Sequence, residues 1–341
     1  MPGVNSNLPK VSVILPVYNS EKFLKDTLES IISQSFSDFE VLAVFDNGTT
    51  DSSPAILKEY ALNDSRIRLL DAGGSRGLVK GLNFAVRASE GEYLARIDAD
   101  DICMEDRLQK QADYLDDHSD IAILAGCVDI FGDISSARKY ALEDILNKTF
   151  DDSTLIPLLL RINCLPHPTI MLRRDCAVSL KGYNEDFKEA EDLELWLRAL
   201  AKGYKIRKLD EKLTRLRMHN NSKSALSTDD ASLLRYVMRA RINFIRLLYN
   251  DSPLRYLIWG ANSSGALISE EIRKLKTNFI FKGFIDLNAP ESFEGTSVCP
   301  SESLDKAECD YLFISRSCAS STLLEELSKK KFSYIKDYLI L

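Results

Sequence analysis

"VSVILPVYNSEKFLKDTLESIISQSFSDFEVLAVF" (residues 11–45) carries two apolar runs, VSVILPV (11–17) and FEVLAVF (39–45). Neither run alternates with polar residues, so both read as strands buried on two faces. Between them, EKFLKDTLESIIS (21–33) sets Phe23, Leu24, Leu28, Ile31 and Ile32 on one helical face. A helix joining two buried strands makes them parallel neighbours in one sheet.

The pattern continues outward. Asp51, Ser52 and Ser53 are capping residues, and the early proline of PAILKEYAL (54–62) follows them, a helix start. IRLLD (67–71) reads as a third strand, GLVKGLNFAVRAS (77–89) as a third helix and EYLARI (92–97) as a fourth strand. The result is an α/β chain with a mostly parallel sheet and helices on both faces. MEDRLQKQADYLDDH (104–118) is the next expected helix and IAILAGCVDIF (121–131) the next strand. Beyond 132 the periodicity loosens, and 132–165 reads as loops. TIMLRR (169–174) and KIRKL (205–209) are expected strands, and EDLELWLRALAKG (191–203) is a helix closed by Gly203.

Residues 226–250 read as an amphipathic connecting helix. A second α/β unit follows over 251–341. LRYLIWGANSSGALISEEIRKL (254–275) is strand, glycine turn and helix; FIFKGFIDLN and CDYLFISRS are strands; SSTLLEELSKKK is a helix. This is half of a Rossmann-like fold. Gly260 and Gly265 fit a dinucleotide fingerprint, but Asn262 stands where its middle glycine belongs, and Asp286 follows the next strand. The domains expected are therefore 1–225, the helix 226–250, and 251–341.

The chain has 341 residues, a formal net charge of −7 and 28% charged residues. An acidic balance offers no global attraction for nucleic acid, so no nucleic-acid partner is expected. Its seven cysteines are odd in number and none pair at CxxC spacing, which argues against a disulfide framework and a thiolate zinc site. The cytoplasm is the expected setting. The N-terminus, MPGVNSNLPK, lacks an apolar signal core, and no apolar run reaches the roughly 18 residues of a spanning helix. Any membrane contact is expected to be peripheral, at the inner face.

RIDADD (96–101) places three carboxylates in four residues at the end of the fourth strand. Ligands of open parallel sheets bind at that edge. Crowded carboxylates raise one another's pKa unless a cation intervenes, and oxygen ligands suit Mg²⁺ or Mn²⁺. The bland alternative is an acidic turn capping the next helix.

Six motifs in order resolve the choice. They are residues 11–40, VFDNGTTDSS (44–53), RGLVKGLNFAV (76–86), GEYLARIDADDICMEDRL (91–108), KGYNEDFKEAEDLELWLRAL (181–200) and LTRLRMHNNSKS (213–224). From Val11 to His219 the chain resembles the family-2 glycosyltransferases, which have a GT-A fold, a Rossmann-like nucleotide-diphospho-sugar architecture. That resemblance implies an inverting enzyme moving sugar from a UDP-sugar donor to a glycan or lipid-linked glycan acceptor, with Mn²⁺ or Mg²⁺. Pro16, Tyr18 and Asn19 match the turn beside the nucleotide base, where a tyrosine ring stacks. Asp46 matches the residue that accepts a hydrogen bond from the base; Phe45 stands where the family often has another aspartate. In the DxD motif, Asp98 matches the ribose or metal-shell residue and Asp100 the metal ligand. Asp101 is expected to cap the following helix.

Asp192 matches the general base of inverting members and Glu191 its neighbour; the first turn of a helix stabilises an anion. A capping role for Asp192 is compatible with that. His219 matches a metal-binding histidine, and His167 a position near acceptor or donor phosphate. His118 reads as surface. The C-terminal unit is expected to position the enzyme, through a partner, a second copy in a homo-oligomer, or the acceptor. A nucleotidyltransferase and a non-catalytic sugar-nucleotide scaffold are the alternatives. The first lacks its glycine-rich basic loop here, where PVYNSEKF stands instead, and intact Asp100 and Asp192 argue against the second.

Overall fold

The computed structural model describes residues 8–46, 48–71, 77–219 and 231–341. Asn47, Arg76, the 220–224 end of the last motif and the first turn expected at 226–230 lie outside these residues. The chain divides into two compact units, Met1–Asp230 and Ala231–Leu341.

In the first unit the opening stretch folds as β1 (Val11–Val17), α1 (Leu24–Ile32) and β2 (Phe39–Phe45). Both strands are buried on two faces, as continuous apolar runs require. Next come α2 (Ser53–Asn63), β3 (Ile67–Asp71), α3 (Leu78–Ala88) and β4 (Tyr93–Arg96). The four strands pair in parallel in the order β3-β2-β1-β4. Gly91 admits β4 beside β1, since a Cβ there would lie 2.5 Å from the Ser12 backbone nitrogen.

The remainder of this sheet is mixed. β5 (Ile102–Cys103), α4 (Arg107–Asp117) and β6 (Ile121–Gly132) precede two helices, α5 (Ser136–Leu146) and α6 (Leu155–Leu159). Then follow β7 (Met171–Arg173), α7 (Arg174–Ser179), α8 (Glu191–Ala201) and β8 (Lys205–Met218). β7 runs antiparallel to β4 and β6, extending the sheet to β4-β7-β6-β8-β5. Two expectations are corrected here. Residues 132–165 are not all loop, because α5 and α6 lie within them; α5 buries none of its residues, so it leaves no apolar period to read. The strand expected at 205–209 continues to Met218, which carries it from one end of the sheet to the carboxylate cluster.

The second unit begins with α9 (Ala231–Leu248) and has its own sheet. Its elements are β9 (Arg255–Trp259), α10 (Ser263–Lys274), β10 (Ile280–Asp286), β11 (Ser292–Phe293), β12 (Thr296–Pro300), β13 (Tyr311–Ile314), α11 (Ser321–Lys329) and β14 (Tyr338–Ile340). The order is β11-β12-β10-β9-β13-β14, parallel except for the β11–β12 hairpin. The hairpin and β14 add three short strands beyond those expected. Glu271 of α10 is fully buried and pairs with Arg235 and Arg239 of α9 and with Lys274, which ties the two helices together. Among the described residues, no helix is long and apolar enough to cross a membrane.

Candidate active site

β1, β2 and β4 run parallel, so the residues just after each strand share one sheet edge. After β1 comes Tyr18, whose side chain is 60% exposed. Asn19 adopts a left-handed backbone (φ 45°), which asparagine tolerates, and its Oδ1 accepts the Thr50 N–H at 2.8 Å. Pro16 sits within β1 opposite Val44. After β2, Asp46 accepts N–H groups from Gly48 (2.8 Å) and Gly77 (2.6 Å). A Cβ on Gly48 would fall 3.2 Å from Asp46 Oδ1 and 3.5 Å from the Tyr18 ring. Tyr18 and Asp46 thus flank the same glycine.

After β4 come the three carboxylates. Their oxygens can lie within 4.8 Å of one another. Each has a different partner. Asp98 is held in a bidentate pair by Arg96, itself only 4% exposed. Burial works against the Arg96 charge, but Asp98 outweighs it and holds the guanidinium above its ordinary value. Asp100 Oδ2 lies 3.0 Å from His219 Nε2. Burial first, and the Asp98 charge second, push the Asp100 carboxyl up; the His219 bond opposes them. Asp101 is 2% exposed and accepts the Arg217 N–H at 2.7 Å. Burial, then the charges of Asp98 and Asp100, push it well above the carboxylate range.

Asp101 therefore does not cap the following helix. α4 starts at Arg107, too far along, and Asp101 instead joins the motif to β8. The same strand delivers His219 one residue past its end. Arg217 reinforces the junction, donating to the Asp100 carbonyl (2.8 Å) and to Asp26 (2.8 Å) and lying over the Phe23 ring.

Asp192 and Glu191 sit in the first turn of α8. Asp192 Oδ1 accepts the Leu193 N–H at 2.7 Å, and Oδ2 accepts from Asn163 Nδ2 at 2.8 Å. Tyr183 feels charges from both this turn and the DxD motif. Burial first pushes its phenol up; Arg96 opposes this, and Glu191, Asp192 and Asp98 add to it. All four charged groups therefore act on one hydroxyl. That hydroxyl lies 2.9 Å from His167 Nε2, and the His167 ring meets Trp196 edge-on at 5.7 Å. His167 and Glu191 are 8% and 4% exposed, so both are buried. His118 is exposed and stacks on Tyr114, 4.1 Å away, remote from these groups in the fold.

A buried arginine braces the floor. Arg107 donates to the Arg96 carbonyl (2.8 Å), the Ile170 carbonyl (3.3 Å) and Gln111 Oε1 (3.0 Å). Gln111 in turn donates to the Thr169 carbonyl at 2.8 Å. Sequence reasoning missed Arg96, Arg107, Tyr183 and Asn163. Arg96 stands inside the quoted motif, so its spacing to Asp98 was available; Asn163 lies in a segment read as loop.

The edge thus offers an exposed ring beside the Asp46 carboxylate and, after β4, oxygen and nitrogen donors, while a further carboxylate, Asp192, stands on a helix start. Carboxylate oxygens with one imidazole nitrogen fit Mn²⁺ or Mg²⁺, and Asp100 and His219 already face one another across the cluster.

The model for "Glycosyl transferase family 2" matches residues 12–178. The chain is 31% identical over 255 residues to the Escherichia coli O-antigen biosynthesis glycosyltransferase WbnJ, covering 71% of this chain and 95% of that one. Among solved structures it resembles S. aureus TarS 1–349 in complex with UDP-GlcNAc, with TM-score 0.55 and 21% identity over 77% of this chain and 71% of that one. It also resembles the mannosyltransferase PcManGT from Pyrobaculum calidifontis in complex with GDP-Man and Mn²⁺, with TM-score 0.53 and 18% identity over 72% and 65%. At these identities the two structures speak for the fold, a GT-A architecture.

Proposed function

This chain belongs to glycosyltransferase family 2, and on that premise we propose an inverting, divalent-metal-dependent enzyme that moves a sugar from a UDP-sugar to a hydroxyl of a bacterial surface glycan. The observation that carries the reading is the cluster of Asp98, Asp100 and Asp101 oxygens with His219 on Asp100, on the sheet edge that also bears Tyr18 and Asp46. WbnJ, an O-antigen enzyme by name, motivates the surface-glycan acceptor. The TarS complex motivates the UDP-sugar. The enzyme would work in the cytoplasm, at or near the inner membrane face.

In this reading Tyr18 stacks on the uracil and Asp46 accepts its N–H. Gly48 beside them leaves room for a flat ring. Arg96 neutralises Asp98 and keeps it oriented toward the ribose. Asp100 and His219 would hold the cation, which would supply Lewis-acid stabilisation of the diphosphate leaving group. Asp192 takes the proton from the acceptor hydroxyl as the oxygen attacks the anomeric carbon, and configuration inverts in a single displacement. Glu191, beside Asp192 on α8, and His167, held by the Tyr183 hydroxyl, are the candidate substrate-binding residues.

A panel of UDP-sugars, assayed with Mn²⁺ for UDP release and by NMR for the anomeric configuration of the transferred sugar, tests this. The reading expects one donor to dominate, release to stop with chelator, and the anomeric configuration to invert. Pyrophosphate formed from UTP and a sugar phosphate, with no UDP from any UDP-sugar, would replace it with a nucleotidyltransferase.

A further inference from the structure

The segment just before His167 runs without regular structure from the end of α6, yet it is tightly held. Lys208, on β8, donates to the Cys164 carbonyl at 2.7 Å and to the Leu146 and Lys148 carbonyls at 2.6 and 3.1 Å. One residue earlier, Asn163 uses both ends of its amide. Its Oδ1 accepts the Leu165 N–H at 3.3 Å, and its Nδ2 donates to Asp192 Oδ2 at 2.8 Å. With Oδ1 committed to an N–H, the amide can face Asp192 only with its donor.

We propose that Asn163 is the positioning residue for Asp192; this rests on the reading of Asp192 as the base. The two carboxylate oxygens are addressed separately, Oδ1 by the Leu193 N–H and Oδ2 by Asn163. That arrangement sets the side-chain rotation. The chemistry of the donor matters as much as its place. A lysine or arginine here would pair with the base and lower its affinity for the proton it must take. An amide orients the carboxylate and supplies no countercharge. Asn163 therefore acts on the rate through Asp192 and has no part in holding the nucleotide.

The test is a double-mutant cycle in the full chain: Asn163→Ala, Asp192→Asn and both together, with the UDP-sugar that gives the highest rate. Rates at saturation come from UDP release, and UDP affinity with Mn²⁺ from calorimetry. Loss of alignment predicts a kcat about 10- to 100-fold lower in Asn163→Ala with UDP affinity unchanged. Asn163→Asp, which faces Asp192 with a like charge, should lose more. Asn163→Ser, which keeps a short donor, should recover part of the loss and serves if the alanine variant melts. On the Asp192→Asn background, Asn163→Ala should lower the rate no further. Wild-type kcat in Asn163→Ala, or an equal loss on both backgrounds, overturns the proposal while leaving Asp192 as the base. Full activity in Asp192→Asn removes the base assignment itself, and the proposal with it.

Discussion

Asp98, Asp100 and Asp101 share one motif and meet three different partners: an arginine, a histidine and a backbone N–H. That division decides what a cation can add. The carboxyls of Asp100 and Asp101 are pushed up by burial first and by their neighbours second. The folded chain therefore holds protons that the unfolded chain has lost above about pH 4. Metal-free stability is fully present below that value and falls as pH rises through the window up to the raised values. Two results should follow in thermal melts. Mn²⁺ should raise Tm at pH 7 in the wild type and much less in Asp100→Ala, which should also lose turnover. Asp101→Asn keeps an acceptor for the Arg217 N–H and removes a buried charge, so its metal-free Tm at pH 7 should exceed that of the wild type; a lower Tm would contradict the repulsion. At this scale the motif residues were legible because they sit together in sequence. Asn163 was not, since its partner Asp192 lies on another element and loop sequence carries no period to place it.

Elements hold these residues to their distances. Arg107 is buried on α4 and donates to carbonyls of two other segments. Arg107→Met leaves Gln111 Oε1 and the Arg96 carbonyl without this donor, and at about 1–3 kcal/mol for each buried unmet group the fold should lose roughly 3 kcal/mol in urea melts. Gly182 is a second joint. Its φ is +69°, and a Cβ there would lie 2.3 Å from Asn83 Oδ1, the atom that accepts the Tyr183 N–H. Gly182→Ala should displace Tyr183 and its contact with His167, lowering kcat more than UDP affinity. Unchanged kinetics would sever that connection. The parallel half of the sheet was legible from its unbroken apolar runs. The mixed half was less so: β7 has only three residues, and β8 alternates exposed and buried positions irregularly through charged residues.

For the whole molecule, the question is where chemistry ends. In the second unit the glycine turn is already occupied by its own side chains. Asn262 Oδ1 caps α10 by accepting the Ser264 and Gly265 N–H groups, at 3.0 and 3.1 Å. Asp286 accepts the Ala261 N–H at 2.9 Å. These donors are the ones that a dinucleotide-binding turn turns toward pyrophosphate. The departure at Asn262 was visible in the sequence, and its consequence needed the structure. Asn262→Ala should cost about 1 kcal/mol of stability as a lost cap and leave donor hydrolysis unchanged. Loss of hydrolysis without unfolding, or tight NAD binding by the full chain, would give this unit a chemical role.

In the proposed mechanism Asp192 takes the proton while the DxD edge holds the nucleotide. Asp192→Asn keeps the shape of the side chain and removes the base. The measurement is its saturating transfer rate beside its affinity for UDP with Mn²⁺. The account predicts a rate lower by about 10²- to 10⁴-fold with UDP bound as tightly as by the wild type. A collapse of UDP affinity with an unchanged saturating rate would place Asp192 in the donor site and contradict it.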